Sequence, residues 1–341
     1  MVKQVVIDKG IPFLEGVFPP EIEVLLLSPE EITAQTVREA DALFVRTRTQ
    51  ISKGLLEGSR VRFVATATIG FDHIDKDYCR EAGIHWVSCP GCNAQAVCDY
   101  VEEAITSLIP YPLAKRPLPL THYPLGGTPS YSSPCERPIF GIVGYGHVGK
   151  LVAQMAQRRG YQVLLSDPPL GIGMSINELA PLCDILTFHT PLTREGEHPT
   201  YHLCDANILR RCKPGTLIIN AARGGVIDEQ ALLAQLSTLN SQLSTAIDCW
   251  ENEPRLNRDL LQLVDLASFH IAGYSIQGKM RASEMCLEAF CKFFSLPILS
   301  INKKVVPLQG DSEKGWLLRI TEQLKAAPEQ FEQLRKSYPL R

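Results

Sequence analysis

The stretch Ile139-Phe140-Gly141-Ile142-Val143-Gly144-Tyr145-Gly146-His147-Val148-Gly149 constrains the fold more than any other part of the chain. An apolar, β-type run leads into Gly-x-Gly-x-x-Gly, and a helical run follows over 150–159. Each glycine has its own task. Gly144 permits the tight turn from strand to helix, Gly146 lets a pyrophosphate approach the backbone, and Gly149 lets the helix pack on the strand. The N–H groups at the helix start then face the anion. Gly160 ends the helix, 161–166 reads as a second strand, and Asp167 closes it. An acid there, roughly 20 residues on, accepts hydrogen bonds from the adenosine ribose of a dinucleotide. It also repels a 2′-phosphate, so the pattern favours NAD over NADP. The plainer alternative makes Asp167 a strand-end residue that starts the Pro168-Pro169 turn.

A chain of 341 residues has room for two domains and a substantial core. A net charge of −3 gives no reason to expect nucleic acid, and no apolar run approaches a membrane span. The first eight residues read as a short strand without signal-peptide structure. Eleven cysteines, odd in number and scattered, suit a reducing compartment better than a disulfide framework, which points to the cytoplasm. The one Cys-x-x-Cys, Cys89-Pro90-Gly91-Cys92, reads as a turn before a helix start near Asn93, with a redox dithiol as the alternative. No second pair completes a zinc site, and no metal is expected.

Apolar β-type runs alternate with helical stretches up to about Ser88: 5–7, 22–27, 42–45, 63–65 and 85–87. This rhythm implies a parallel sheet in a first α/β domain. Two strand ends carry polar residues, Arg46-Thr47-Arg48-Thr49 and Thr66 with Thr68, where open α/β sheets collect ligands. An amphipathic helix over 93–108 ends at Pro110. Eight of the 24 prolines then fall in 110–138, a density that forbids regular helix or central strand, so this is a surface excursion. Further strands at 185–189, 216–220, 244–247 and 266–269 are followed by Thr190, Arg223, Asp248 and His270. A long helix over 275–294 completes the first domain, which is therefore discontinuous. The expected architecture is α/β: a Rossmann-type doubly wound parallel sheet, a flavodoxin-like α/β substrate domain, and a short C-terminal appendage. Its boundaries are 1–93 and 272–295 for the substrate domain, 94–271 for the NAD domain, and 296–341 for a small oligomerisation segment.

Three residues fit the transfer of a hydride between a nicotinamide and a hydroxy acid. Removing hydride from carbon requires a base for the neighbouring O–H proton, and His suits neutral pH. The substrate carboxylate wants a planar, permanently charged fork, which is Arg. The imidazolium that forms needs a carboxylate partner. The assignment is His270 as acid/base, Arg223 as carboxylate anchor, and Glu253 as the partner of His270. Singly, each has a plainer reading: a strand-end salt bridge, a turn acid before Pro254, a satisfied core histidine. Their placement behind successive strands joins them.

Ala221-Ala222-Arg223-Gly224-Gly225-Val226-Ile227-Asp228, Asp248-Cys249-Trp250-Glu251-Asn252-Glu253-Pro254 and His270-Ile271-Ala272-Gly273-Tyr274 resemble the signatures of the D-2-hydroxyacid dehydrogenases. So do the glycine motif and Phe188-His189-Thr190-Pro191-Leu192-Thr193. The resemblance covers nearly the whole chain outside 110–138. It implies that Arg223, Glu253 and His270 are catalytic. NAD contacts would come from Gly144, Gly146, His147, Val148, Gly149, Asp167, Thr190, Ala221, Ala222, Arg223, Asp248 and Gly273. Thr47, Thr68 and Tyr274 would touch substrate, with Thr47 standing where the family more often has serine. The substrate implied is a phosphorylated 2-hydroxy acid, with Arg46 or Arg48 as phosphate contacts, and the assembly implied is a homodimer. Two alternatives stay open: the same chemistry on 3-phosphoglycerate or glycerate, and an NAD-sensing regulatory protein.

Overall fold

The computed structural model describes residues 2–109, 137–238, 242–301 and 315–339, and its strands collect into two sheets. The expected excursion lies outside the described residues over 110–136, as does most of a strand-like piece read at 298–306. The chain divides into two units: Met1–Ala94 with Tyr274–Gly310, and Gln95–Gly273 with Asp311–Pro339.

In the first unit, β1 (Gln4–Asp8), β2 (Glu23–Leu27), β3 (Ala42–Val45), β4 (Phe63–Thr66) and β5 (His85–Val87) form a sheet in the order β2-β1-β3-β4-β5. Every pairing is parallel. Side chains alternate across a strand, so Val5, Ile7, Phe44 and Phe63 enter one core while Val6, Leu43, Val45 and Val64 enter another. Both faces are covered, which is why these strands read as unbroken apolar runs rather than as alternation. The helix Ile276–Phe294 closes the first face with Ala282, Cys286, Leu287 and Phe290. The Phe290 ring lies 5.5 Å from that of Phe44.

In the second unit, β6 (Ile139–Val143), β7 (Gln162–Asp167), β8 (Ile172–Gly173), β9 (Ile185–Phe188), β10 (Leu217–Asn220), β11 (Ser244–Ile247) and β12 (Leu266–Ala267) line up as β12-β11-β10-β9-β6-β7-β8. The pairing is parallel except at one edge, where β8 runs antiparallel to β7. The turn through Pro168–Leu170 and Gly171, at φ +63°, is too short for a crossover, so the chain folds straight back. Strand order reverses at β6, whose neighbours β7 and β9 lead away in opposite directions. The carboxyl ends of β6 and β9 therefore frame a crevice. At the far edge the helix Trp316–Ala326 lies against β12, and Thr321 Oγ1 accepts from Ala267 N at 2.9 Å and donates to Ala267 O at 3.1 Å. Among the described residues no helix is long and apolar enough to cross a membrane.

Candidate active site

The glycine turn is built as its spacing requires. Gly144 has φ +92°, and a Cβ there would meet the carbonyl carbon and oxygen of His189 at 2.8 Å. A Cβ on Gly149 would sit 2.1 Å from Gly144 O, so glycine is what lets the helix His147–Arg158 close on β6. A Cβ on Gly146 would meet nothing within 4 Å among the described residues. That open side, in front of the helix N–H groups, fits a pyrophosphate. Asp167 Oδ2 accepts from Tyr145 N at 2.6 Å, tying the acid at the end of β7 to the glycine turn. Across the crevice Thr190 Oγ1 is buried with no hydrogen-bond partner among the described residues, beside Gly144. An orphaned hydroxyl over an open glycine turn is what a dinucleotide would satisfy.

His270 and Glu253 meet. His270 Nδ1 lies 2.9 Å from Glu253 Oε2 and 3.1 Å from Oε1, and Glu253 Oε1 also accepts from Trp250 N at 2.9 Å. With Nδ1–H donated to the carboxylate, Nε2 of the neutral ring is the proton acceptor. The Cys249 sulfur lies within 4.8 Å of the Glu253 and His270 ligand atoms. Arg223 is exposed and donates from Nη1 to Ala222 O at 2.7 Å, and among the described residues no carboxylate pairs with it. Burial pushes the Cys249 thiol well above its ordinary range, leaving it neutral.

Asp248 has no exposed surface. Its carboxylate accepts from Ile271 N at 2.8 Å, Ala272 N at 2.9 Å and Ser268 Oγ at 2.6 Å, and its carbonyl accepts from His270 N at 3.0 Å. His270 itself sits in the left-handed region, at φ +59°. This costs on the order of 1 kcal/mol or more for a residue other than glycine, and surrounding bonds must hold it. The aspartate thus fixes the turn that aims the imidazole and carries Gly273.

In the first unit, Thr47 follows β3 and is exposed, and Thr68 follows β4. Thr68 Oγ1 donates to Gly70 O at 2.9 Å and lies 2.7 Å from Thr66 Oγ1, which is 3.0 Å from His73 Nε2. Burial lowers the His73 pKa, so a neutral ring ends this chain of hydroxyls. Tyr274 opens the returning segment and is half-buried. Cys89 and Cys92 form a turn, Cys92 N to Cys89 O at 3.3 Å. The Cys89 sulfur faces Cys286 Sγ at 3.5 Å, and burial pushes the Cys92 thiol up to about 11.

Residues 130–272 match the family of the NAD binding domain of D-isomer specific 2-hydroxyacid dehydrogenases. An erythronate-4-phosphate dehydrogenase of Bacteroides thetaiotaomicron is 39% identical, aligning 99% of this chain with 96% of its own. Another, from Cronobacter sakazakii, is 37% identical over 98% and 90%. The chain belongs to the D-isomer specific 2-hydroxyacid dehydrogenase family. The dehydrogenase uses NAD. Its fold is similar to that of a D-mandelate dehydrogenase from Rhodotorula graminis, with a TM-score of 0.67, 22% identity, and 90% and 99% of the two chains covered. An NAD+-bound 3-phosphoglycerate dehydrogenase from Entamoeba histolytica gives a TM-score of 0.63, 21% identity, and 89% and 99%.

The dehydrogenase also ties Glu251, two residues before Glu253, to the start of the helix Glu229–Leu236 through contacts that sequence reasoning missed. Glu229 N donates to Glu251 Oε1 at 3.0 Å while Glu251 N donates to Glu229 Oε1 at 2.7 Å, a reciprocal clasp. His202 Nε2 reaches the same Glu251 oxygen at 2.9 Å, and its ring stacks on Tyr201 at 3.9 Å. Burial, helped by the charges of Glu251 and Glu253, raises the Glu229 pKa to about 7. The folded protein therefore holds a proton that the unfolded chain releases near 4.5, and stability from this group falls as pH rises from about 4.5 to 7. Glu229→Gln keeps the acceptor and cannot ionise. It should be the more stable protein above pH 7, by on the order of 1–3 kcal/mol, and no more stable than the parent at pH 4. Melting temperature against pH checks this, and a gap of equal size at both ends would refute it.

Proposed function

We propose that the enzyme oxidises 4-phospho-D-erythronate at C2 to 2-oxo-3-hydroxy-4-phosphobutanoate, a step of pyridoxal 5′-phosphate biosynthesis. The observation that carries the chemistry is His270 Nδ1 held at 2.9 Å by Glu253, which leaves Nε2 to take a hydroxyl proton. The substrate follows from the relatives, whose shared name specifies a phosphorylated 2-hydroxy acid. NAD, when bound, supplies the hydride acceptor. Gly144, Gly146, His147, Val148 and Gly149 would cradle its pyrophosphate, and Asp167 its ribose. Thr190, the Ala221, Ala222 and Arg223 segment and Gly273 would flank the rest, with Asp248 shaping the turn beneath. Arg223 grips the substrate carboxylate. His270 draws the proton from the C2 hydroxyl as Glu253 stabilises the imidazolium. Thr47, Thr68 and Tyr274 hold the remaining hydroxyls.

In this reading the second unit is the cofactor domain and the first the substrate domain. The ten described cysteines, all free, suit a cytoplasmic enzyme, and a homodimer is the expected assembly. The relatives do not favour 3-phosphoglycerate or glycerate as substrate. The test is turnover of purified protein on 4-phosphoerythronate, 3-phosphoglycerate and glycerate, with NAD and with NADP. The highest kcat/KM should fall on the first acid with NAD. A higher value on another acid would replace the substrate, and NAD binding without turnover would favour a regulatory role.

A further inference from the structure

Two arginines follow β3, and the structure separates them. Arg48 is exposed and pairs with Glu30 at 3.2 Å. Arg46 instead turns back over the first unit, donating from Nη1 to Gly10 O at 3.2 Å. There it lines a small hollow with Gly10, Ile11, Pro12, Ala67 and Lys279. A Cβ on Gly10 would lie 3.0 Å from Arg46 Nη1, so glycine leaves the space that the guanidinium occupies. Neither Arg46 nor Lys279 has a carboxylate partner among the described residues. The acid beside them, Asp8, is buried and spends Oδ1 on Gly10 N at 2.7 Å. Lys279 stands in the first turn of the 19-residue helix Ile276–Phe294, whose free N–H end adds positive potential. Burial and the charge of Arg46 both lower the Lys279 pKa. Two partly buried cations facing one hollow repel each other until an anion joins them.

We propose that Arg46 and Lys279 form the subsite that takes the substrate's phosphoryl group. A phosphate monoester carries about −1.5 to −2 charge and three acceptor oxygens. The planar fork of Arg46 and the point charge of Lys279 are complementary ways of meeting them. The inference rests on the reading that the substrate is phosphorylated, and it assigns that specificity to a lysine 233 positions further along the chain than its partner.

The test compares the parent with Lys279→Met, Arg46→Met and, as a control, Arg48→Met, on 4-phosphoerythronate and on unphosphorylated erythronate. Circular dichroism and melting temperature check that each is folded. Losing one charge-assisted contact should lower kcat/KM on the phosphorylated acid roughly 10- to 100-fold, mainly through KM. On erythronate both subsite variants should stay within about threefold of the parent, as Arg48→Met should on either acid. Equal losses on the two acids, or no loss on either, overturn the subsite while leaving the reaction standing. Calorimetry with inorganic phosphate provides a readout independent of turnover. If the parent fails to oxidise 4-phosphoerythronate, the substrate reading falls. Phosphate binding that disappears in Lys279→Met would still support the anion site, and no binding to the parent would overturn it.

Discussion

Replacing His270 with Asn should slow oxidation about 100-fold or more while leaving NAD affinity within reach of the parent value. Asn is the informative choice because His270 has φ +59°, a region that Asn enters more readily than most residues. An Ala variant would mix lost chemistry with backbone strain. The amide cannot accept the hydroxyl proton, so the chemical step loses its base while the turn held by Asp248 stays in shape. Stopped-flow rates and a fluorescence titration with NAD separate the two effects. An equal fall in cofactor affinity would make His270 a structural residue.

Arg223→Lys should lower kcat/KM roughly 100-fold, with more of the loss in KM than in the His270 variant. The charge survives this change, but the fork does not. In the parent, one arm of the guanidinium is steadied by Ala222 O at 2.7 Å, and the group has no acid partner among the described residues. Lysine offers a flexible ammonium in place of two parallel N–H donors, so it loses the bidentate grip on a carboxylate. Near-parent kinetics would show that charge alone suffices and would remove Arg223 as the carboxylate anchor.

The glycine turn, Asp167 and the polar residues behind β9 to β12 were legible because local sequence pattern dictates them: a strand ends, the chain must turn, and the carboxyl edge is where it turns. The meeting of His270 with Glu253 was readable only as a chemical requirement, since nothing local joins residues 17 apart. What stayed hidden depends on where side chains point. Glu229 follows the cap Asp228 at the start of the helix Glu229–Leu236, where an acid normally complements the helix dipole on the surface. Only the fold turns it inward against Glu251. Asp248 reads as a ligand contact from its position behind β11, and its burial under the 270–272 turn has no sequence signal. Arg46 and Arg48 are equivalent on paper, and distant residues, Glu30 and Lys279, distinguish them. The antiparallel β8 escaped because two residues carry no periodicity.

Thr321 has a bearing on assembly. By receiving the N–H of Ala267 and returning a proton to its carbonyl, one hydroxyl impersonates the neighbour that the last strand lacks. That border of the sheet is therefore closed to recruitment. Two copies of this enzyme cannot join by running a continuous ladder across β12 while the helix Trp316–Ala326 covers it.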